Sequence, residues 1–215
     1  LAFAAKLMKI KCIICMSKLV PENKIEGIKA LGAEVRLVGT NQDEAQLEAD
    51  RLSIEEGMTY VSPFDNIDVI AGQGTLGLEI NRQIPKLKFA FVPLSGGGLI
   101  CGVAKALKGL NQDLKVIGVS MDRGAAMYEA QKAGKPIFVK EEESLADALT
   151  GGIGLDNKYT FQLTKQLVDE IVLVSEKEIA DGIHYAYWRE SQIVEGAGAV
   201  ALASLLNKKF KPPGP

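Results

Sequence analysis

Histidine is nearly missing from this sequence: His184 is the only one in 215 residues. Structural zinc takes about four Cys or His ligands, and the commonest nucleophilic triads need a well-placed base. With three cysteines and one histidine, neither chemistry is well supplied, and no metal ligand set is expected. Long apolar runs are missing too. The longest, Gly196 to Leu206, is rich in small residues and falls well short of the roughly 18 residues of a membrane span, so no membrane partner is expected. An excess of one charge is also lacking. Lys and Arg number 25 against 27 Asp and Glu, and no basic run is present to neutralise a phosphate backbone, which argues against nucleic acid. Three cysteines without a secretory signal fit a reducing, cytoplasmic compartment.

What is present is globular material, 47% hydrophobic and 24% charged, of a length that suits one large or two small domains. Cys12 and Cys15 spell C-x-x-C but lie in the apolar run Ile10, Cys12, Ile13, Ile14, which reads as a strand. Positions three apart on a strand face opposite ways, whereas a redox pair belongs at a helix start, so buried thiols are expected. Leu1 to Met8 is helical in character from its first residue, without an N-cap, and Lys211 to Pro215 has a linker composition. Both ends read as cut, so the sequence is expected to be an interior segment of a longer protein.

Helical and short β-rich segments alternate, the pattern of an α/β fold around mainly parallel sheets. After the opening helix, the spacing predicts a strand at 11–15, a helix from Glu22 to Leu31, a strand at 34–38 and a helix capped by Thr40 and closed by Gly57. A short strand should cover Thr59 to Val61, before a boundary at Ser62-Pro63-Phe64-Asp65-Asn66. Further on, helices are predicted at 68–83, 99–108, 125–133, 159–167 and 198–205, with strands at 88–94, 115–120 and 171–174. A capping box at Ser175 and Glu178 should open one more helix, and 141–157 resists assignment.

Two glycine clusters stand out. Gly72-Gln73-Gly74-Thr75-Leu76-Gly77 matches G-x-G-x-x-G, but a dinucleotide site needs a preceding strand and an acid about 20 residues on. Neither is present, which favours helix packing through small residues. The second cluster, Ser95-Gly96-Gly97-Gly98, follows the apolar segment Phe89 to Leu94 and precedes an apolar helix. There, consecutive backbone N–H groups and a helix N-terminus can converge on an anion. Leu99-Ile100-Cys101 replaces the Lys-Ser/Thr ending of a nucleotide P-loop, which points to the phosphate of a smaller cofactor; a simple tight turn is the plain alternative.

Val92-Pro93-Leu94-Ser95-Gly96-Gly97-Gly98-Leu99, Ile70-Ala71-Gly72-Gln73-Gly74-Thr75 and Val194-Glu195-Gly196-Ala197-Gly198-Ala199-Val200 together resemble the fold-type II pyridoxal-phosphate enzymes of the threonine and serine dehydratase family. Gly118 to Met127 and Gly151 to Asn157 look most like its hydroxyectoine-utilisation branch, which would place the protein in ectoine degradation. The resemblance runs in order along nearly the whole chain. It implies two α/β domains, with residues 1–64 as a small-domain remnant and 65–215 as an incomplete large domain that binds the cofactor phosphate.

On that resemblance, pyridoxal 5'-phosphate would be held at its phosphate by Ser95, Gly96, Gly97, Gly98 and Leu99, with Ser95 where many relatives have another glycine. Ala148 would lie beside the pyridoxal ring, and Glu195 would be an acid near it; helix capping by Glu195 suits either role. The family's Schiff-base lysine and its substrate-carboxylate segment would fall upstream of Leu1, and the contact to the pyridine nitrogen after Pro215, so no catalytic residue is assigned within the chain. Relatives that bind a divalent cation do so where this sequence has Ser120, Gly124 and Ala126, which leaves no metal site. The implied activity is a lyase reaction. A hydroxy amino acid such as threonine or serine would lose its α-proton and its β-hydroxyl and yield a 2-oxo acid and ammonia, in an enzyme assembled from several copies of the chain. A non-catalytic phosphate-binding module and a dinucleotide oxidoreductase are the rival readings. Tyr185, Tyr187 and Trp188 read as core or interface aromatics, and Glu141 to Glu143 as a solvated acidic turn; Phe64 lies where a cleft between domains could be lined, but packing alone explains it.

Overall fold

The computed structural model describes residues 1–211; of the expected terminal linker, residues 212–215 lie outside the described residues. The chain divides into two compact units, Leu1–Val61 and Ser62–Pro215. The first contains α1 (Ala2–Met8), β1 (Ile13–Met16), α2 (Glu22–Ala30), β2 (Glu34–Leu37) and α3 (Gln42–Glu56). Strands β1 and β2 pair in parallel, from Ile13 opposite Glu34 to Met16 opposite Leu37, with α2 as the crossover. This is a minimal βαβ unit. Pro21 precedes α2, and Gly57, at φ 65°, ends α3. On the surface of this unit Arg36 pairs with Glu34 and Glu48, and Arg51 with Glu48 and Glu55. The N–H groups of Arg51 and then Arg36 hold the Glu48 carboxyl down at about 2.

Three expectations for this unit need correction. The cap of α3 is Asn41, not Thr40: Asn41 Oδ1 accepts from Glu44 N–H at 2.9 Å, and the Glu44 carboxylate accepts from Thr40 N–H at 2.5 Å. Residues 59–61 form no strand. Cys12 precedes β1 and Cys15 lies within it, and both are half-buried free thiols rather than core residues.

The second unit contains α4 (Ile67–Gln83), β3 (Phe89–Pro93), α5 (Gly98–Leu110), β4 (Lys115–Met121), α6 (Ala126–Ala133), a 3-10 turn (Asp147–Leu149), α7 (Thr160–Leu167), β5 (Glu170–Val174), α8 (Glu176–Glu190) and α9 (Gly196–Leu206). Its sheet runs β3-β4-β5, all parallel, with Phe91 opposite Ile117 and Val119 opposite Val172. The central strand β4 is buried from Val116 to Met121, as expected where both sheet faces are covered. The period-two alternation separates the two faces. Ala90, Val92 and Val116 join Ile100, Leu107, Met127 and Phe161 on one side, while Phe91, Val119, Met121 and Val174 join Ile179, Val200 and Ala203 on the other.

The first glycine cluster lies inside α4, where it packs on α5. A Cβ on Gly102 of α5 would run into Ile70 O, and one on Gly77 would sit 2.8 Å from Val103 O. Such close backbone approach is what small residues permit, and a dinucleotide turn is ruled out because these residues are helical. Tyr187 and Trp188 are exposed, packed edge-on against each other at 5.0 Å, and so are not core aromatics. Among the described residues no helix is long and apolar enough to cross a membrane.

Candidate functional site

Parallel sheets bind ligands beyond the carboxyl ends of their strands, where loops and helix N-termini gather. At that edge of the second unit, β3 runs through Leu94 into Ser95, Gly96 and Gly97, and α5 begins at Gly98. Gly97 occupies the N-cap position at φ 93°, a left-handed conformation open to glycine, and supplies no side-chain cap. The first intrahelical bond of α5 is Cys101 N–H to Gly97 O. Among the described residues, no acceptor meets the peptide N–H groups of Ser95, Gly96, Gly97, Gly98, Leu99 and Ile100. Gly96, Gly97 and Gly98 are nevertheless buried, and Ser95 and Leu99 half-buried. Buried donors without acceptors, at the positive end of a 13-residue helix, are a cradle-like arrangement that can receive an anion.

The walls of the cradle leave no room for side chains. A Cβ on Gly96 would enter the Phe64 ring, and one on Gly98 would lie 2.9 Å from Phe64 Cα. A Cβ on Gly97 would meet Thr160 Cβ at 2.9 Å, Met127 Cε at 3.1 Å and Thr164 Oγ1 at 3.2 Å. Phe64 is a packing residue, as expected, and what it packs on is two of the three glycines. At these three positions any larger residue would collide with a wall, and the N–H groups without acceptors are the feature that a phosphate group would fit.

Behind the cradle the polar groups are satisfied. Cys101 Sγ lies 3.6 Å from Thr160 O and 3.5 Å from Thr164 Oγ1. Burial pushes its thiol up to about 11, with the nearby Asp65 charge adding to the rise against the Thr164 hydrogen bond, so it is protonated and unreactive at neutral pH. Asn157 donates to Ile153 O and Thr160 Oγ1 and accepts from Phe161 N–H. The Asp65 carboxylate accepts from the N–H groups of Lys158, Tyr159 and Thr160. The sequence reading missed Asp65, Asn157, Thr160 and Thr164. An Asp-Asn pair before a helix signals a local cap, and Asn66 does cap α4, but nothing local signals a partner more than 90 residues away.

Ala148 and Glu195 sit on two other segments of the unit, the 3-10 turn and the start of α9. Ala148 is exposed on the 3-10 turn, and Glu195 is exposed as the N-cap of α9, accepting from Ala197 and Gly198 N–H, both at 2.6 Å. Their segments pack together: a Cβ on Gly196 would strike Leu145 O, and the Glu176 carboxylate holds the residues before the 3-10 turn by accepting from Ser144 Oγ and Leu145 N–H. No hydrogen bond joins either residue to the glycine loop among the described residues. Ser120 is buried at the end of β4, and among the described residues no three His, Cys, Asp or Glu side chains gather as a metal site.

Comparison with known proteins identifies the family and the fold. The profile of a family described as pyridoxal-phosphate dependent enzyme matches residues 1–214. A Sinorhizobium fredii protein with a provisional threonine dehydratase name is 54% identical over 209 residues, which is 97% of this chain and 63% of that protein. An L-threonine ammonia-lyase of Thermotoga maritima is 41% identical over 96% of this chain and 51% of its own length. Among solved structures, maize serine racemase superposes with a TM-score of 0.89 at 30% identity, covering 98% of this chain and 64% of that one. The processed form of threonine deaminase isoform 2 from Solanum lycopersicum gives 0.84 at 38% identity, covering 94% and 58%. The chain spans less than two thirds of the length of each of these relatives.

Proposed function

Because this chain belongs to the pyridoxal-phosphate dependent enzymes and has their fold-type II architecture, we propose that it forms the cofactor-phosphate half of a dehydratase acting on a small hydroxy amino acid. The observation that carries the proposal is the row of unmatched N–H groups at Ser95 to Ile100, set among buried glycines at the start of α5. A phosphate monoester supplies several acceptor oxygens and negative charge, which answer those donors and the helix end together. In this reading Ser95, Gly96, Gly97, Gly98 and Leu99 bind the phosphate, and the Ser95 hydroxyl, which makes no protein hydrogen bond among the described residues, adds one more donor. Ala148 borders the ring, and Glu195 places its charge near it while capping α9.

Pyridoxal phosphate, when bound, supplies an electron sink for α-proton removal from an amino acid. The residues of this chain anchor and orient, and the chain spans less than two thirds of the relatives it matches. Turnover is therefore proposed for the whole protein. Its substrate is threonine- or serine-like, giving a 2-oxo acid and ammonia, a reading supported by the names of the relatives. Assignment to the hydroxyectoine-utilisation branch rests on Gly118 to Met127 and Gly151 to Asn157. A cytoplasmic homo-oligomer belongs to the same proposal.

The test uses the product of the whole gene, loaded with pyridoxal 5'-phosphate and given L-threonine, L-serine and L-alanine. The 2-oxo acid is trapped as its hydrazone, and ammonia is measured beside it. Equal amounts of both products from threonine or serine and none from alanine are expected, since alanine has no β-hydroxyl to lose. Absence of 2-oxo acid from every hydroxy amino acid would remove the dehydratase assignment.

A further inference from the structure

The corner Phe64-Asp65 touches both walls of the glycine loop. Phe64 lies on Gly96 and Gly98. Asp65 reaches in the other direction, with Oδ2 accepting from Lys158 N–H at 2.6 Å and Oδ1 accepting from Tyr159 and Thr160 N–H, both at 2.9 Å. These donors stand at the N-terminus of α7, whose adjacent residue Tyr159 provides no side-chain cap. The turn of α7 held in this way carries Thr160 and Thr164, which are 0% and 1% exposed and form the wall against Gly97. Cys101 Sγ meets the same two residues, so α5 and α7 are in contact just below the cradle. The corner is itself fixed: Ser62 Oγ accepts from Phe64 and Asp65 N–H at 3.4 and 3.0 Å, and Asn66 Oδ1 caps α4 immediately after it.

A local Ser, Asp or Asn at position 159 would cap α7 equally well as an isolated helix. A cap delivered from Asp65 does something different, because one short segment then sets the positions of both walls. Moving α7 away would free Gly97 and change the spacing between its N–H and those of Gly96 and Gly98. We propose that Asp65 is a positioning residue of the anion cradle, holding α7 against Gly97 while Phe64 holds Gly96 and Gly98, and so setting the geometry in which a phosphate monoester is gripped. This rests on the reading of Ser95 to Leu99 as a phosphate site.

The experiment titrates the full chain with pyridoxal 5'-phosphate and, separately, with pyridoxal, which lacks the phosphate, and follows thermal unfolding in parallel. Asp65→Asn keeps the size but turns a donor toward donors. It should weaken pyridoxal phosphate binding about tenfold, as for the loss of a charged hydrogen-bond partner, while pyridoxal binding stays unchanged. Phe64→Leu leaves every Asp65 bond in place and should lower the preference for the phosphate several-fold; if Asp65→Asn does not fold, Asp65→Glu, which keeps the charge on a longer arm, takes its place, with the same loss of preference expected. If wild type binds pyridoxal as well as its phosphate, the phosphate site fails and the positioning role with it. If wild type prefers the phosphate and folded variants keep that preference, the site stands and the positioning role is overturned, leaving Asp65 as a structural cap.

Discussion

Gly97 and Gly134 both adopt positive φ, 93° and 73°, yet their surroundings differ. A Cβ on Gly134 meets nothing within 4 Å, whereas one on Gly97 falls among Thr160, Met127 and Thr164. Gly134→Ala therefore carries only the backbone cost of a left-handed residue, about 1–2 kcal/mol. Gly97→Ala adds a collision between α5 and α7 and should cost about 1–3 kcal/mol more in unfolding free energy. Urea unfolding of the two variants checks this, with a lower midpoint at unchanged slope for both and the larger drop for Gly97. Only Gly97→Ala should also lose affinity for pyridoxal phosphate; equal effects of both variants would show that conformation, and not crowding, is what position 97 requires. From sequence alone Gly96, Gly97 and Gly98 were legible as a run that permits close approach to the backbone. Their individual walls were not, since Phe64, Met127, Thr160 and Thr164 come from three separate segments.

Helix ends separate what a sequence can announce from what it cannot. The box on α8 was legible because both partners lie within four residues: Ser175 Oγ accepts from Glu178 N–H, and the Glu178 carboxylate accepts from Ser175 N–H. At α3 the adjacent residues Thr40 and Asn41 are both able to cap, and their composition does not choose between them. Asn41 takes the position with extended backbone, φ −147° and ψ 172°, while Glu44 reaches back to Thr40. At α7 the capping carboxylate comes from Asp65, and the helix start at Tyr159 carries no sign of it. Residues 59–61 have a strand-like composition, but a strand exists only where a neighbour accepts it into a ladder, and the sheet of that unit contains only β1 and β2. These assignments give a ranking. Asn41→Ala should destabilise by about 1 kcal/mol and Thr40→Ala by well under that, because only Asn41 supplies a side-chain acceptor to an orphan N–H. Thermal or urea unfolding of both variants measures the order; the reverse order would return the cap to Thr40.

At the scale of the whole molecule, alternation of helix and strand was enough to read an α/β fold with parallel sheets, because each crossover must carry a strand back to the same edge. What the alternation does not carry is how evenly the core is shared. In the first unit the buried apolar residues among those described are Ala2, Ala5, Ala33, Ala45 and Leu52, four of them alanines. The second unit encloses Leu94, Ile100, Leu107, Ile117, Met121, Met127, Ile153 and Ile179 almost completely. Buried apolar area is the main favourable contribution to folding, and a two-stranded sheet adds little by itself. The first unit should therefore open at a lower denaturant concentration than the second. The three cysteines report on this separately, since Cys12 and Cys15 lie in the first unit and Cys101 is fully buried in the second, with its thiol pushed up to about 11 by burial. Thiol labelling at increasing urea, in a Cys101→Ala variant for the first unit and in a Cys12→Ser, Cys15→Ser variant for the second, gives each unit its own midpoint. Labelling of Cys101 should begin only after that of Cys12 and Cys15 is complete. A single midpoint shared by all three would mean that the small core is held up by the large one and that the chain unfolds as one cooperative body.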